Sequence, residues 1–469
     1  MMAKEDPRLR RIDGTVPFPA GAYDLAALGY EEKEFLIEGT AVSYALNGAR
    51  TSDGRWSIKE DERAPYVSRF IVRRPIDPGR FSGTVAVEWH NVSGGVDAGP
   101  DWGLLHRDLV ARGHSWVGVS AQKAGIDGGG LVEGMHLKKA VPERYQVLEH
   151  PGDSWSFDIF TQVASVLRSP GAGSPLGGLV PERLVALGES QSAAFLVTYI
   201  NAVDPEACVF DGFFVHGRGA NGAGLDGFRL ASGGDTNART LDLLSNPERI
   251  RDDVRVPVLV LQSETDVVLL GGGLAAQPDG PHLRLWELAG AAHADTYLLV
   301  ASGQDDGSLG AEQFAELLRP TTELMIGNTD VPINAGPQQH FVGQAAFEHL
   351  VAWVAGGPPP PAAARLEMTD ANQLVLDEQG IARGGIRTPW VDVPTARLSG
   401  LGGSGETFAF LFGKTEPFDA ETLAAAYPGG KDGYLEQFIA SLEDAIGHGF
   451  ILAADRQEIL ALAAAAYPG

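Results

Sequence analysis

An α/β fold, with a mostly parallel sheet covered by helices on both faces, is what this sequence predicts, and three observations predict it. Short continuous apolar runs recur along the chain. They alternate with segments of helical period, and most of them end in Gly or polar residues. Strands that are apolar on both faces must be buried on both faces, and strands joined by helical crossovers run parallel. Ligands in such sheets bind beyond the strand carboxyl ends, so the residues directly after each run are the ones to inspect.

In chain order, the opening MMAKEDPRLRRIDG is polar and lacks the apolar segment of a secretory leader. Residues 34–48 and 64–74, rich in Val, Ile, Phe and Tyr, read as paired antiparallel strands. The next strands are Thr84–Trp89, Trp116–Ser120, Leu184–Leu187, Gly212–Val215, Val256–Leu261 and Leu283–Leu288. Helices are expected over Asp101–Arg112, Trp155–Leu167, Ser192–Ala202 and Gln344–Val354. Residues 217–255 interrupt the rhythm, as a lid insertion over the site or a helix–loop excursion. The run Pro358–Pro361 marks the start of a C-terminal extension, 358–469. There Gln373–Leu376, Pro394–Leu398 and Phe408–Phe412 read as strands, and 419–427, 434–446 and 454–466 as helices. The whole of 1–469 reads as one catalytic unit with this extension packed on the core.

Composition narrows the function. With 469 residues and 44% hydrophobic side chains, the chain can bury a large core. A net charge of −25 repels phosphate backbones and argues against nucleic acid as a partner. The single cysteine, Cys208, rules out an intrachain disulfide framework and, among apolar neighbours, is expected to be a buried structural thiol. No stretch approaches the roughly 18 apolar residues of a membrane span, so a cytoplasmic protein is the expectation. Metal-binding spacings, phosphate loops and a dinucleotide fingerprint are missing, so no metal and no cofactor is expected. Nothing in the sequence specifies an oligomeric state.

The chemistry centres on Arg183–Tyr199, RLVALGESQSAAFLVTY. A strand runs into Gly188-Glu189-Ser190-Gln191-Ser192 and then into an Ala-rich helix. This is the setting of a nucleophile elbow, in which small residues flank a serine lifted above the sheet on a sharp turn. Ser192 replaces the commoner glycine. The plainer reading makes Ser190 a helix N-cap. A serine needs an imidazole to take its proton, and in the α/β-hydrolase fold the acid and then the histidine follow the nucleophile. Gln262-Ser263-Glu264-Thr265-Asp266 follows one strand, and Gly290-Ala291-Ala292-His293-Ala294-Asp295 follows the next. His293 is therefore the candidate base. Asp266 is the candidate acid, with Glu264 as the alternative, and Asp295 is read as structural. His216 and His340 are candidate pocket residues. For the oxyanion hole, the expected donors are the N–H of Gln191 and one N–H from the loop His90-Asn91-Val92-Ser93-Gly94-Gly95, either Asn91 or Val92.

Together the stretches VEWHNVSGG (87–95), VGVSAQKAG (117–125), HPGDSWSFDIF (150–160), GESQSAAFLVTYINAV (188–203), QSETD (262–266), GAAHAD (290–295), INAGPQQH (333–340) and ARGGIRTPWVDVP (382–394) resemble a bacterial family of α/β-hydrolase-domain proteins. The resemblance spans most of the chain, extension included. It implies a serine hydrolase of carboxylic esters, acting on a small-molecule substrate, with Ser190, His293 and an acid in QSETD as its triad. Acyltransferase, lactonase or amidase chemistry would use the same residues, and a non-catalytic binding protein could use the same scaffold. Asp153, Asp158 and Arg387, in the Gly- and Pro-rich motifs, are expected to tie loops together.

Overall fold

A computed structural model describes residues 6–17, 24–130, 134–169, 173–227, 246–406 and 408–468. Nine strands form the main sheet: β1 (Arg8–Ile12), β2 (Tyr30–Leu46), β3 (Ile58–Pro75), β4 (Thr84–Trp89), β5 (Ser115–Val119), β6 (Arg183–Glu189), β7 (Gly212–His216), β8 (Val258–Ser263) and β9 (Leu283–Leu288). Their order is β1-β2-β3-β5-β4-β6-β7-β8-β9. The β1–β2, β2–β3 and β3–β5 pairs are antiparallel, and every pair from β5 through β4 to β9 is parallel. The expected mostly parallel sheet with antiparallel strands at its front is the one observed. β1 was not foreseen, because RLRRI is polar and lies half-exposed at the sheet edge.

Alternation along the buried strands divides the core in two. From β4, Val85, Val87 and Trp89 enter one layer with Phe160 and Phe195. Ala86 enters the other, with Leu105, Phe341 and Phe347. Glu88 also faces inward and is fully buried. Its carboxylate accepts from Asp101 N at 2.9 Å, Trp102 N at 2.8 Å and Trp116 Nε1 at 2.7 Å. It thereby caps the helix Pro100–Arg112, which has no cap from its own preceding residue.

The C-terminal extension packs on this second layer. Phe438 and Leu442 of the helix Gly430–Gly447, and Ile459 and Leu462 of the helix Arg456–Ala466, share a buried cluster with Leu288 and Phe341. Ile386 bridges Leu288 in parallel, its N–H donating to Glu287 O at 2.7 Å. The expected strand at 394–398 is Ala396–Ser399, paired with Lys414–Pro417. Two expectations fail here. Phe408–Phe412 is a tight helical turn over Ala409–Leu411 rather than a strand, its apolar side chains packing around Ile333 and Ala294. Gln373–Leu376 forms only isolated bridges.

Cys208 is exposed, contrary to expectation. It closes the short helix Asp204–Ala207 in a left-handed conformation with φ 50°, which turns its side chain outward. Of the anticipated lid, 228–245 lie outside the described residues. Its two ends are tied to each other and to the β2–β3 loop: Arg50 pairs with Glu248 and donates to Gly222 O at 2.9 Å, and the buried Arg218 donates to Glu248 O at 2.6 Å.

Candidate active site

The turn after β6 is strained where a nucleophile is wanted. Ser190 has φ 58° and ψ −117°, a conformation that few non-glycine residues adopt. Its N–H donates to His216 O at 2.9 Å. A Cβ on Gly188 would stand 2.9 Å from Ser192 O, so the following helix leaves no room for a side chain there. The serine two residues after Ser190 has a definite part. Ser192 Oγ accepts from Glu189 N at 2.9 Å and donates to Glu189 O at 2.7 Å, closing the turn on itself. Ser190 makes no side-chain cap bond to the helix it precedes.

Ser190 Oγ lies 2.7 Å from His293 Nε2, and His293 Nδ1 lies 2.5 Å from Asp266 Oδ1. Asp266 is held from behind, its Oδ2 accepting from Ser263 N at 2.6 Å and Ser263 Oγ at 2.8 Å. Glu264, two residues earlier, turns away. Its Oε1 accepts from Gly290 N at 2.6 Å, and its Oε2 from Gly400 N at 2.8 Å and Ser399 Oγ at 3.1 Å. Glu264 thus ties the histidine loop to the extension and makes no contact with the imidazole. Burial pushes the Glu264 carboxyl up to about 7.

The histidine loop is fixed at several further points. His293 N donates to Thr265 Oγ1 at 3.1 Å, and Asn334 Nδ2 donates to Gly290 O at 2.9 Å. Ala294 N donates to Leu411 O at 3.3 Å. Gly217 has φ 62°, and a Cβ there would meet His293 Cε1 at 3.1 Å, so glycine keeps the ring's seat open. Burial alone would lower the His293 pKa; the Asp266 and Glu189 carboxylates outweigh it and push it up to about 10. Asp295, in contrast, accepts from Leu298 N at 3.0 Å and caps the next helical turn, and burial pushes its carboxyl up to about 7.

The remaining candidates separate. Gln191 opens the helix after Ser190, where N–H groups have no intrahelical acceptor. Val92 N donates to its side chain through a long hydrogen bond, 3.5 Å to Gln191 Oε1. Asn91 cannot be the backbone donor, because its N–H is committed to Ala98 O at 2.9 Å. Its side chain serves instead: Nδ2 donates to Glu189 Oε2 at 3.0 Å and Glu189 O at 3.1 Å. His216 lies at the end of β7, beside Glu189 in register. Its Nδ1 is 2.9 Å from Asp101 Oδ1; burial would lower its pKa, but Asp101 holds it above the usual value. His340 is not a pocket residue. It is fully buried, stacked on Tyr297 with centroids 3.8 Å apart, and its Nδ1 meets Leu104 O at 2.7 Å. Burial drives its pKa well below the ordinary value, so it is a neutral core histidine. The helix carrying it begins at Gln338, several residues before the expected start, which carries the ring inside.

Other residues matter that the sequence alone did not single out. Gln339 Nε2 supports His293 O at 3.4 Å, and Glu189 reaches the imidazole itself. The loop residues behave as ties: Asp153 accepts from Lys123 N, Asp158 from Val42 N, and Arg387 pairs with Asp377 and Asp392. Among the described residues, no group of three His, Cys, Asp or Glu could hold a metal ion. Among the same residues, no helix is long and apolar enough to cross a membrane.

No curated protein matches this sequence. Solved structures give distant likenesses. A thermostable esterase from Pseudomonas putida is 18% identical over 54% of this chain and 70% of its own, at a TM-score of 0.29. An α/β serine hydrolase without a lid from Xanthomonas campestris is 14% identical over 53% and 84%, at 0.27. A fungal esterase from Rhizomucor miehei is 12% identical over 56% and 77%, at 0.28. At TM-scores this low they carry no argument about chemistry. The family described as alpha/beta hydrolase domain matches residues 5–461, nearly the whole length, and to that family this chain belongs.

Proposed function

We propose that the protein is a serine hydrolase cleaving carboxylic esters of small molecules through an acyl-enzyme on Ser190. The unbroken chain from Ser190 Oγ through His293 to Asp266 carries this reading. Ser190 Oγ attacks the ester carbonyl as its proton passes to His293 Nε2. The carbonyl electron pair moves onto oxygen, beside the N–H groups of Gln191 and Val92. As the intermediate collapses, the C–O bond to the alcohol breaks and the alcohol leaves with the proton from Nε2. Water then repeats the sequence on the acyl-enzyme, giving up its proton to His293 and freeing the acid. Asp266 holds the Nδ1–H and keeps Nε2 aimed at the serine.

The direct test is labelling with a fluorophosphonate probe. Mass spectrometry is expected to find one adduct, on Ser190, in the folded protein. No adduct, or an adduct on another residue, would sink the reading.

The two nearby carboxylates divide by direction. Asp266→Asn is expected to lower kcat on p-nitrophenyl esters by on the order of 10⁴-fold, since the wrong imidazole tautomer is then favoured. Glu264→Gln should leave kcat within about tenfold and lower stability by about 1–3 kcal/mol, because it weakens the bonds to Gly400 and Ser399. Reversed effects in the two variants would exchange the roles.

A further inference from the structure

His293 Nε2 faces two oxygens, not one. Ser190 Oγ is at 2.7 Å, and Glu189 Oε1 is at 3.1 Å. Glu189 is nearly as buried as the histidine, its side chain 6% exposed. Its second oxygen is pinned by Asn91 Nδ2, and its backbone pairs with His216 of β7. The carboxylate is thus aimed, and it touches the nitrogen through which the proton passes.

We propose that Glu189 is a second counter-ion of His293, one whose charge stabilises the imidazolium when the ring takes the serine proton and so sets the pH at which the base becomes free. This rests on the reading of Ser190 and His293 given above. The proton leaves Ser190 Oγ as the Oγ–carbon bond forms and is bonded to Nε2. Until the leaving oxygen takes it, the negative charge of Glu189 Oε1, 3.1 Å from Nε2, stabilises the imidazolium. Asp266 is hydrogen-bonded at Nδ1, so the imidazolium lies between two anions.

The cost falls on the resting enzyme. Imidazole is a base only when neutral, and an anion beside Nε2 keeps the ring charged to higher pH. The groups that face it are Asp266 from the helix after β8, Glu189 from β6, and His216 at the end of β7 with Asp101 of the Pro100–Arg112 helix behind it. His216 has Asp101 as its hydrogen-bond partner, and the Glu189 charge acts on His216 as well as on His293. The buried pair makes Glu189 a positioning residue rather than a group that contacts the substrate.

The test is the pH dependence of kcat/KM on a p-nitrophenyl ester, with the rate of fluorophosphonate inactivation followed in parallel. Glu189→Gln keeps the shape and removes the charge. Its acidic limb is expected at least about one pH unit lower than that of the wild type, in both measurements. Glu189→Asp withdraws the carboxylate from Nε2 and should move the limb the same way by less. If Glu189→Gln loses the native circular-dichroism spectrum, the Glu189→Asp comparison decides. A folded variant whose limb stays within a few tenths of a unit of the wild type overturns the proposal, although Ser190 remains labelled. A wild type that takes no adduct on Ser190 overturns the hydrolase reading, and this proposal with it.

Discussion

Replacing Ser190 by alanine is expected to lower ester turnover by on the order of 10⁴-fold or more while leaving the protein folded. The two halves have separate grounds. The hydroxyl hydrogen-bonds His293 Nε2, so its removal deletes the proposed attacking atom and leaves the imidazole without that partner. The elbow itself does not depend on that oxygen. It is closed by Ser192 Oγ on Glu189 and by Ser190 N on His216 O, and an alanine retains that backbone bond. Alanine at φ 58° is as strained as serine, so the substitution adds no new backbone cost. A stability change within about 0.5 kcal/mol is expected, read from urea denaturation. Turnover that survives in the folded variant would move the nucleophile elsewhere.

Ending the chain at Gly357 is expected to abolish folding altogether. The sequence there, Pro358–Pro361, invites a domain boundary, but the contacts across it do not resemble a linker's. Phe438, Leu442, Ile459 and Leu462 fill the layer that also holds Leu288 and Phe341. Losing the packing of one such side chain costs about 2–5 kcal/mol, and a whole domain has about 5–15 kcal/mol to spare. Glu264 would also lose Gly400 and Ser399 and face a newly opened surface. Expression of 1–357 should give insoluble protein or a chain without a cooperative urea transition. A soluble fragment with a cooperative transition would show the extension to be a separate unit.

Much of the fold could be read from the chain, because buried parallel strands leave continuous apolar runs that few other structures need. The same runs locate the site, since Ser190, Asp266 and His293 each lie just beyond one. What the sequence could not show is direction. Glu264 and Asp266 are two residues apart and chemically alike. Only the capping turn at Ser263, which bends Asp266 back, decides which reaches the ring. Asn91 and Val92 are adjacent, and a single bridge to Ala98 removes one N–H. His340 was misplaced because the Asn334–Gln339 stretch is polar, although the helix begins within it. Glu189 stands at the variable position of the elbow motif, which carries no sign that its carboxylate reaches the imidazole. The N-terminal RLRRI and the exposed Cys208 failed for the same reason: edge and end positions follow solvent, not pattern.

The acid and base loops are both braced by residues that follow Gly357, through Glu264 on Gly400 and through Ala294 on Leu411. Those residues leave the ribosome after every strand of the main sheet and after Ser190, Asp266 and His293. At a synthesis rate of roughly 5–20 residues per second, the stretch 358–469 takes on the order of ten seconds to make. Over that interval the nascent chain carries Ser190, Asp266 and His293 without the bonds from Gly400 and Leu411 that brace their loops.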